Sequence, residues 1–319
     1  GIASGGTAGD GVEIEPGVTL AIDANGAADL TVSGTGDGVD VGVQIASPIT
    51  SETGFVTIRS EDGGSTTDDI TFGAEGDITS TSGLITIDAD TAGTSADVFM
   101  ADTGADSAVI NAGSGQIDID ADVDVTLGSV QTTSTTEPSI EIDAIAGGVI
   151  DGGDTDTDIV LGADGTLAIR AATGVGSANA IDTNLTTTEI AVSNSTSGNV
   201  QIDNSTAAFA TALLTVGTVD GTVGIVNSAA AGTVVLTNAS AITVEDDITS
   251  GGSITVTLDD NAGVDDDLIV NGRNTLNAAD VLISSTTGDI TFNVGDDALV
   301  NGDITVSGAT RRVTFNMDP

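Results

Sequence analysis

Apolar residues recur along this chain in short pieces about ten residues apart, each alternating with Thr, Asp or Ser. Alternation with a period of two is typical of a strand that buries one face. Gly, Asn, Asp and Ser separate the pieces, as turns require. The pattern therefore predicts an all-β chain. The first predicted strands are Val12–Ile14, Val18–Ile22, Leu30–Val32, Val39–Ile45, Phe55–Ile58, Ile70–Phe72 and Ile85–Ile87.

The clearest alternation lies between residues 117 and 127, where Asp or Thr separates most of the apolar residues. In a strand, successive side chains point to opposite faces. The apolar side chains should therefore face inward and the Asp side chains outward. The residues predicted to face inward are Ile117, Ile119, Val123, Val125 and Leu127.

Several of these pieces are copies of one another. Asp-Ile-Thr-Phe occurs at residues 69–72 and 289–292, and Asp-Ile-Thr-Ser occurs at 77–80 and 247–250. Repeated short strands predict an elongated parallel β-solenoid with degenerate coils of roughly 20–30 residues each. We expect a single continuous solenoid over residues 1–319. The alternative is an array of immunoglobulin-like sandwiches, but the chain shows neither linkers nor a core Trp.

The composition favours a thin core and disfavours catalysis. Apolar residues make up 39% of the chain, yet there are only six Phe and no Trp or Tyr. His, Cys and Lys are also absent. The usual general bases, nucleophiles and transition-metal ligands are therefore missing. We expect a structural protein rather than an enzyme.

The net charge of −44 excludes some classes of partner. Nothing in the chain could neutralise nucleic-acid phosphates or attract an anionic membrane surface. No apolar run reaches the roughly 18 residues of a membrane-spanning helix, so we expect no membrane insertion. The chain begins at Gly1 without Met, which suggests a processed subunit or a segment of a larger protein.

Three runs carry a resemblance to a known family: residues 76–87, 167–181 and 288–292. They resemble the repeat regions of filamentous-haemagglutinin-like adhesins and related β-strand-repeat proteins of bacterial surfaces. The likeness is strongest from Ile150 to Phe315. It implies a secreted right-handed parallel β-helix that is extracellular or attached to the cell surface. The chain departs from the family in being short, strongly acidic and almost free of Asn-rich ladders.

Clustered aspartates are the candidate metal ligands. Alternate Asp side chains can converge on a hard cation such as Ca²⁺, although neither cluster fits a known calcium-loop pattern. The alternative is that these residues are solvated acids in turns. The candidate residues are Asp154, Asp156 and Asp158 in one cluster, and Asp265, Asp266 and Asp267 in the other.

Three asparagines spaced ten residues apart, Asn184, Asn194 and Asn204, each begin an Asn-x-Thr pattern. This pattern is that of a glycosylation acceptor. Their regular spacing instead predicts that they are turn residues of successive coils.

Arg311 and Arg312 form the basic pair of this acidic chain. An open solenoid end exposes strand edges that invite another chain. We therefore predict that the pair guides self-assembly into a fibre, sheath or filament by head-to-tail or lateral contacts, with further copies of the chain as partners. The alternative is the stalk of an adhesin that binds a host or surface ligand, such as surface glycans. A β-helical polysaccharide-active enzyme is the third alternative.

Overall fold

The structure is a computed structural model. It describes residues 12–17, 20–22, 29–34, 41–60, 69–89, 95–102, 107–153, 155–207, 212–259, 266–272 and 280–317. The chain divides into two compact units. Unit 1 comprises Gly1–Ser134 and Ser139–Val160, and unit 2 comprises Thr135–Pro138 and Leu161–Pro319.

Unit 1 is built from short strands, numbered here along the chain. They are β1 (Val12–Ile14), β2 (Leu20–Ile22), β3 (Leu30–Gly34), β4 (Val43–Ile45), β5 (Ile49–Ser51), β6 (Val56–Ser60), β7 (Ile70–Phe72), β8 (Ile78–Ser80), β9 (Ile85–Ala89), β10 (Val98–Met100), β11 (Val109–Asn111), β12 (Ile117–Ala121), β13 (Val125–Leu127), β14 (Ser129–Thr132), β15 (Ile140–Ala144) and β16 (Val149–Asp151). The next strand, β17 (Ile159–Leu161), lies where the two units divide.

Every third strand of unit 1 lies in the same sheet, which is the topology of a parallel β-solenoid. One sheet has the order β1-β4-β7-β10-β13-β16. The other two sheets contain β2-β5-β8-β11-β14 and β3-β6-β9-β12-β15. All of the pairings in these three series are parallel and join one coil to the next. The predicted fold class, an all-β parallel solenoid, is confirmed.

The core of unit 1 consists of columns of stacked aliphatic side chains. Ile87 pairs with Ile58 on one side and with Ile119 on the other. These three residues are fully buried. Burying one such side chain contributes roughly 1.5–3 kcal/mol, so repeated aliphatic columns can stabilise a solenoid that has few aromatic residues.

The predicted inward positions are confirmed with one exception. Ile117, Ile119, Val125 and Leu127 are buried. Val123 is only half-buried, so its prediction was wrong. The reason is that β12 ends at Ala121 and the chain turns before β13, which interrupts the alternation.

Unit 2 contains the remaining strands. They are β18 (Thr166–Ala171), β19 (Ile181–Leu185), β20 (Thr188–Asn194), β21 (Val200–Asn204), β22 (Leu214–Val216), β23 (Thr218–Val219), β24 (Thr222–Val223), β25 (Ile225–Asn227), β26 (Val234–Asn238), β27 (Ile242–Val244), β28 (Ile248–Ser250), β29 (Ile254–Leu258), β30 (Leu268–Val270), β31 (Leu282–Ser285), β32 (Ile290–Val294), β33 (Ala298–Val300), β34 (Asp303–Val306) and β35 (Val313–Met317).

Unit 2 is also a parallel β-solenoid, but one of its faces divides. The long strand β20 pairs with β22 through its first half and with β25 through its second half. From there the series β22-β27-β30-β33 and β25-β28-β31-β34 continue separately. A third series runs β19-β21-β26-β29-β32-β35. The handedness of the solenoid and its continuity over residues 1–319 stay predictions.

An antiparallel hairpin interrupts the parallel pattern at the point where β20 divides. Strands β23 and β24 form this hairpin. Its Val219 is fully buried together with Ala168 and Ala191, on β18 and β20. Arg170 holds the hairpin with hydrogen bonds from Nε to the Thr222 hydroxyl at 2.7 Å and from Nη2 to the Asp220 carboxylate at 2.6 Å.

Asparagine pairs stack inside unit 2, which corrects the prediction that these residues form turns. The Asn194 side-chain amide donates to Oδ1 of Asn227 at 2.9 Å, and that of Asn204 donates to Oδ1 of Asn238 at 2.6 Å. Asn194 and Asn204 are fully buried at the ends of β20 and β21, and Asn184 lies within β19. They are strand residues rather than turns of successive coils. Each pair spans a single step between coils, in which the amide N–H of one Asn satisfies the carbonyl oxygen of the other.

Candidate functional site

Aspartates that come directly before a strand bind the backbone of the next coil. Asp69 precedes β7, and its Oδ1 accepts a hydrogen bond from the Asp97 N–H at 3.0 Å. Asp97 precedes β10 and accepts from the Asp124 N–H at 2.8 Å. Asp124 precedes β13 and accepts from the Gly148 N–H at 2.6 Å. We call these residues the aspartate caps.

Unit 2 repeats the aspartate caps. Asp247 accepts from the Leu282 N–H at 2.9 Å, and Asp289 accepts from the Arg312 N–H at 3.0 Å. Both Asp residues begin an Asp-Ile-Thr repeat, and Asp77, which begins another, accepts from the Val109 N–H at 2.9 Å. The sequence analysis predicted the strand of this motif and missed the role of its first residue. The invariant place of Asp in the repeat was the available signal.

The aspartate caps place like charges close together. Burial raises the pKa of Asp97, and the neighbouring carboxylates of Asp69 and Asp124 raise it further, although the hydrogen bond from the Asp124 N–H lowers it. A backbone N–H that donates to a carboxylate favours its charged form. The caps therefore partly offset the repulsion that they create.

A denser group of carboxylates covers the outer face of three neighbouring strands in unit 1. Asp88, Asp120 and Asp143 are paired in register on β9, β12 and β15. Asp118 and Glu141 form the adjacent column. We call these five residues the acidic face. Register partners on adjacent strands lie roughly 5 Å apart, so the acidic face concentrates negative charge on one side of the solenoid.

Asp120 lies in the middle of the acidic face and titrates near neutral pH. Burial raises its pKa to about 7, and the carboxylates of Asp118, Asp143, Asp88 and Glu141 contribute in that order. At the Asp88 end of the column formed by Asp88, Asp120 and Asp143, Arg59 Nε lies 3.4 Å from the Asp88 carboxylate.

Three aspartates of unit 1 form the candidate metal centre. One carboxylate oxygen from each of Asp102, Asp151 and Asp158 lies within 4.8 Å of the others. Ca²⁺ holds oxygen ligands at roughly 2.3–2.6 Å, so oxygens this close can share one ion. Among the described residues, no other group of three acidic side chains is this close.

The candidate metal centre is largely shielded from water. Asp151 is 6% exposed and Asp158 is 2% exposed. The Ser107 hydroxyl donates to Asp102 Oδ1 at 2.8 Å, and the Gly153 N–H donates to Asp151 Oδ1 at 2.7 Å. A Cβ added at Gly152 would collide with the Asp102 carboxylate, so glycine is required for this packing.

The first predicted cluster only partly coincides with this centre. Asp158 belongs to it, and Asp156 lines the adjacent cleft of about 480 Å³. Asp154 lies outside the described residues. Sequence reasoning missed Asp102 and Asp151, because they come from different coils and no local spacing links them to Asp158. The interpretation of Asp158 as a solvated turn acid was wrong, because its side chain is buried.

Of the second predicted cluster, the structure describes Asp266 and Asp267, and neither belongs to a group of three close acidic side chains within the described part of the chain. Asp266 is fully buried, and its N–H donates to Asp296 Oδ2 at 3.3 Å. Asp267 is an aspartate cap, because its Oδ1 accepts from the Asp297 N–H at 3.1 Å. Asp265 lies outside the described residues.

A groove of about 580 Å³ crosses the outer face of unit 2. Its floor is a column of paired outward residues, namely Thr166, Glu189, Thr215, Thr243 and Ile269. Burial raises the pKa of Glu189, while its hydrogen bond from the Thr218 N–H lowers it and nearby acidic residues raise it. Hydroxyl and carboxylate groups line the groove together with apolar side chains such as Leu213.

The last described coil, β33 to β35, has an unusual surface. Its Val313, Phe315 and Met317 pair in register with Ile290, Phe292 and Val294 of the preceding coil. Those partners are buried, whereas the three side chains of β35 are 38%, 39% and 43% exposed. Arg311 and Arg312 are exposed in the turn before β35. The predicted assembly residues therefore lie beside an open end of the unit 2 core.

Comparisons with protein-family models, with curated proteins and with solved structures found no match to this chain. Among the described residues, none forms a helix long and apolar enough to cross a membrane.

Proposed function

We propose that this protein is an extracellular structural protein, a β-solenoid subunit that assembles end to end into a surface fibre, sheath or filament. The observation that supports the proposal is the open coil of β33 to β35. Phe315 occupies an inward register position and stacks on Phe292 with ring centroids 4.8 Å apart, yet it is 39% exposed. Covering such apolar side chains is favourable, and another strand layer would cover them.

The strand edges of this coil support the same conclusion. Among the described strands, β33, β34 and β35 each pair on one side only. A row of unpaired N–H and C=O groups is a template for another chain. When the two surfaces that meet are different, the contact repeats and produces a filament. Further copies of the chain are therefore the proposed partner.

The residues available for chemistry agree with a structural role. The chain lacks His, Cys, Lys, Tyr and Trp, and carries a net charge of −44. Such a surface favours solubility and repels nucleic acid. The resemblance to filamentous-haemagglutinin-like repeats, which implies secretion to the bacterial surface, stays part of the proposal.

The test is the assembly state of a variant in which the basic pair is neutralised. We expect Arg311→Gln with Arg312→Gln to weaken self-association roughly tenfold, because each exposed ion pair across a joint contributes up to about 1 kcal/mol. Sedimentation velocity measures the association, and electron microscopy identifies fibres. Wild-type protein that stays monomeric at every concentration would contradict the proposal.

A matched control separates the basic pair from net charge. Thr81→Glu with Ser82→Glu changes the net charge by the same amount, −2, in an exposed turn between β8 and β9. We expect this control to associate nearly as well as the wild type. Equal weakening in both variants would assign the effect to overall repulsion instead of Arg311 and Arg312.

The groove of unit 2 favours a second candidate function, the stalk of an adhesin that binds a surface glycan. Its Thr and Glu side chains can exchange hydrogen bonds with sugar hydroxyls. The test is retention of monomeric protein on dextran and on chitosan. Glu189→Gln should weaken retention, and Glu52→Gln, in an exposed turn of unit 1, should not. Equal retention of both variants would contradict binding in the groove.

A further inference from the structure

We infer that the open coil of β33 to β35 receives the first coil, β1 to β3, of a second copy, in a defined strand register. This inference rests on the end-to-end assembly proposed above and specifies its joint. Strands β1, β2 and β3 contain 3, 3 and 5 residues. Strands β33, β34 and β35 contain 3, 4 and 5 residues. The two coils therefore present short, short and long strands in the same order.

In both coils, the described strands pair on one side only and run in the direction that the joint requires. Among the described strands, β1, β2 and β3 pair only with β4, β5 and β6, and these pairings are parallel. The strands β33, β34 and β35 likewise pair in parallel with the coil before them. Parallel addition of β1 to β33, of β2 to β34 and of β3 to β35 would pair the outer edge of each of these three strands with a strand of the second copy.

The side chains of the two longest strands fit in one register. In β35 the inward positions are Val313, Phe315 and Met317. In β3 they are Leu30, Val32 and Gly34, which pair with inward positions of β6. Placing Leu30 beside Val313 puts every apolar side chain of β35 against a small or aliphatic partner. A shift by one residue would bring the polar side chains of Thr31 and Ser33 into the core. The need to bury the apolar face of β3 therefore specifies the register.

The charges before these two strands are complementary. Asp29 directly precedes β3, and Arg312 directly precedes β35. Both residues are exposed. The residues that precede β6, β9 and β12, the strands stacked on β3, are Phe55, Leu84 and Gln116, which carry no charge. The proposed joint instead places an arginine beside an aspartate, and it does so in the register that aligns Leu30 with Val313.

Cysteine crosslinking tests the register directly, because the chain has no cysteine of its own. In the proposed joint, Thr31 of one copy lies beside Thr314 of the next, both on the outer face. Neighbouring strands bring such Cα atoms within the roughly 4.4–6.8 Å that a disulfide spans. Thr31→Cys and Thr314→Cys variants are mixed in equal amounts and mildly oxidised. Each copy then carries one cysteine, so we expect a covalent dimer and no larger product.

The matched control moves one cysteine along β3 to the next outward position. Ser33→Cys mixed with Thr314→Cys places the Cα atoms more than about 7 Å apart, beyond disulfide reach. We expect the dimer to be lost in this mixture. Each variant oxidised alone should also remain monomeric on a non-reducing gel.

The possible outcomes distinguish the proposed strand register from end-to-end assembly in some other arrangement. A dimer from the first mixture and none from the control supports the inference. If wild-type protein self-associates but both mixtures crosslink equally, or neither does, this register is overturned and end-to-end assembly still stands. If wild-type protein sediments as a monomer throughout, both the joint and the proposed function are overturned, and the following coil of a longer chain becomes the expected cover.

Discussion

At the scale of single residues, Asp120 shows what the solenoid register does to charge. Its carboxylate lies between Asp88 and Asp143 on the neighbouring strands. Burial raises its pKa to about 7, and these and other carboxylates add to the effect. The folded protein therefore binds a proton at Asp120 more tightly than the unfolded chain, whose Asp pKa is near 3.9. The contribution of the protonated Asp120 to the free energy of unfolding is therefore present below pH 4 and is lost as the pH rises toward 7.

We predict that Asp120→Asn stabilises the protein at pH 8 by about 1–2 kcal/mol, after allowance for solvent screening of a partly exposed group. The reason is that Asn removes a charge that the folded state disfavours. At pH 4 the difference should nearly vanish, because Asp120 is then protonated in the folded state. Urea unfolding at the two pH values measures the effect.

Asp303→Asn controls for the change in net charge, because Asp303 is exposed on β34. It should shift the free energy of unfolding by less than about 0.5 kcal/mol at either pH. If Asp303→Asn stabilised the protein as much as Asp120→Asn does, the acidic face would have no special role.

The candidate metal centre gives a second prediction at this scale. We expect Ca²⁺ to raise the melting temperature of the wild-type protein by several degrees, because a cation bound only by the folded state stabilises it. Asp158→Asn should abolish the part of the increase that exceeds a NaCl control of equal ionic strength. Differential scanning calorimetry after chelation measures both effects. An identical response to Ca²⁺ and to NaCl would exclude a specific site.

The sequence predicted these residues unevenly. Asp158 stood out because it belongs to an obvious aspartate cluster. Its partners Asp102 and Asp151 could not be predicted, since their proximity depends on coil lengths that vary along the chain. The same is true of Asp120, whose Ile-Asp-Ile-Asp context predicts an outward side chain but not the carboxylates on both neighbouring strands.

At the scale of strands and turns, the aspartate caps connect several neighbouring coils in each unit. We predict that Asp247→Ala destabilises the protein by about 1–2 kcal/mol, because the Leu282 N–H loses its acceptor in a partly buried position. Asp247→Asn keeps an acceptor oxygen and should cost less. Thermal or urea unfolding distinguishes the two. Equal losses would show that the charge of Asp247, and not the hydrogen bond, stabilises the turn.

The hairpin of β23 and β24 is an element that the sequence did not predict. Its strands have two residues each and follow β22 directly, so their sequence looks like a continuation of the same alternation. What makes the hairpin is Val219 packing on Ala168 and Ala191, and Arg170 bonding to Thr222. These partners are about 30–50 residues earlier in the chain, beyond the reach of a periodicity argument.

At the scale of the whole molecule, the net charge of −44 should make stability depend on salt. The Debye length falls from roughly 30 Å at 0.01 M to 3 Å at 1 M salt, so repulsion between exposed carboxylates is screened. We predict that the melting temperature rises by several degrees between about 0.02 M and 1 M NaCl. KCl should act equally. A melting temperature that does not respond to either salt would contradict this account.

The fold class was predictable at this scale because it depends on repetition. Copies such as Asp-Ile-Thr-Phe at 69–72 and 289–292 predicted equivalent strands, and both became solenoid strands, β7 and β32. The division of one face at β20 was not predictable, because it arises from a single long strand with two partners. The exposure of Phe315 could also not be predicted, because the residues around Phe315 match those around the buried Phe292.

The aspartate caps have a consequence for how such a chain can change over generations. Each cap contacts a backbone N–H, and the donors belong to residues as different as Gly148, Val109 and Leu282. A cap therefore places no demand on the side chain of the coil that follows. Duplication or deletion of one whole coil would leave every remaining cap with a donor. The number of coils can then vary between descendants while the connection between neighbouring coils is inherited unchanged.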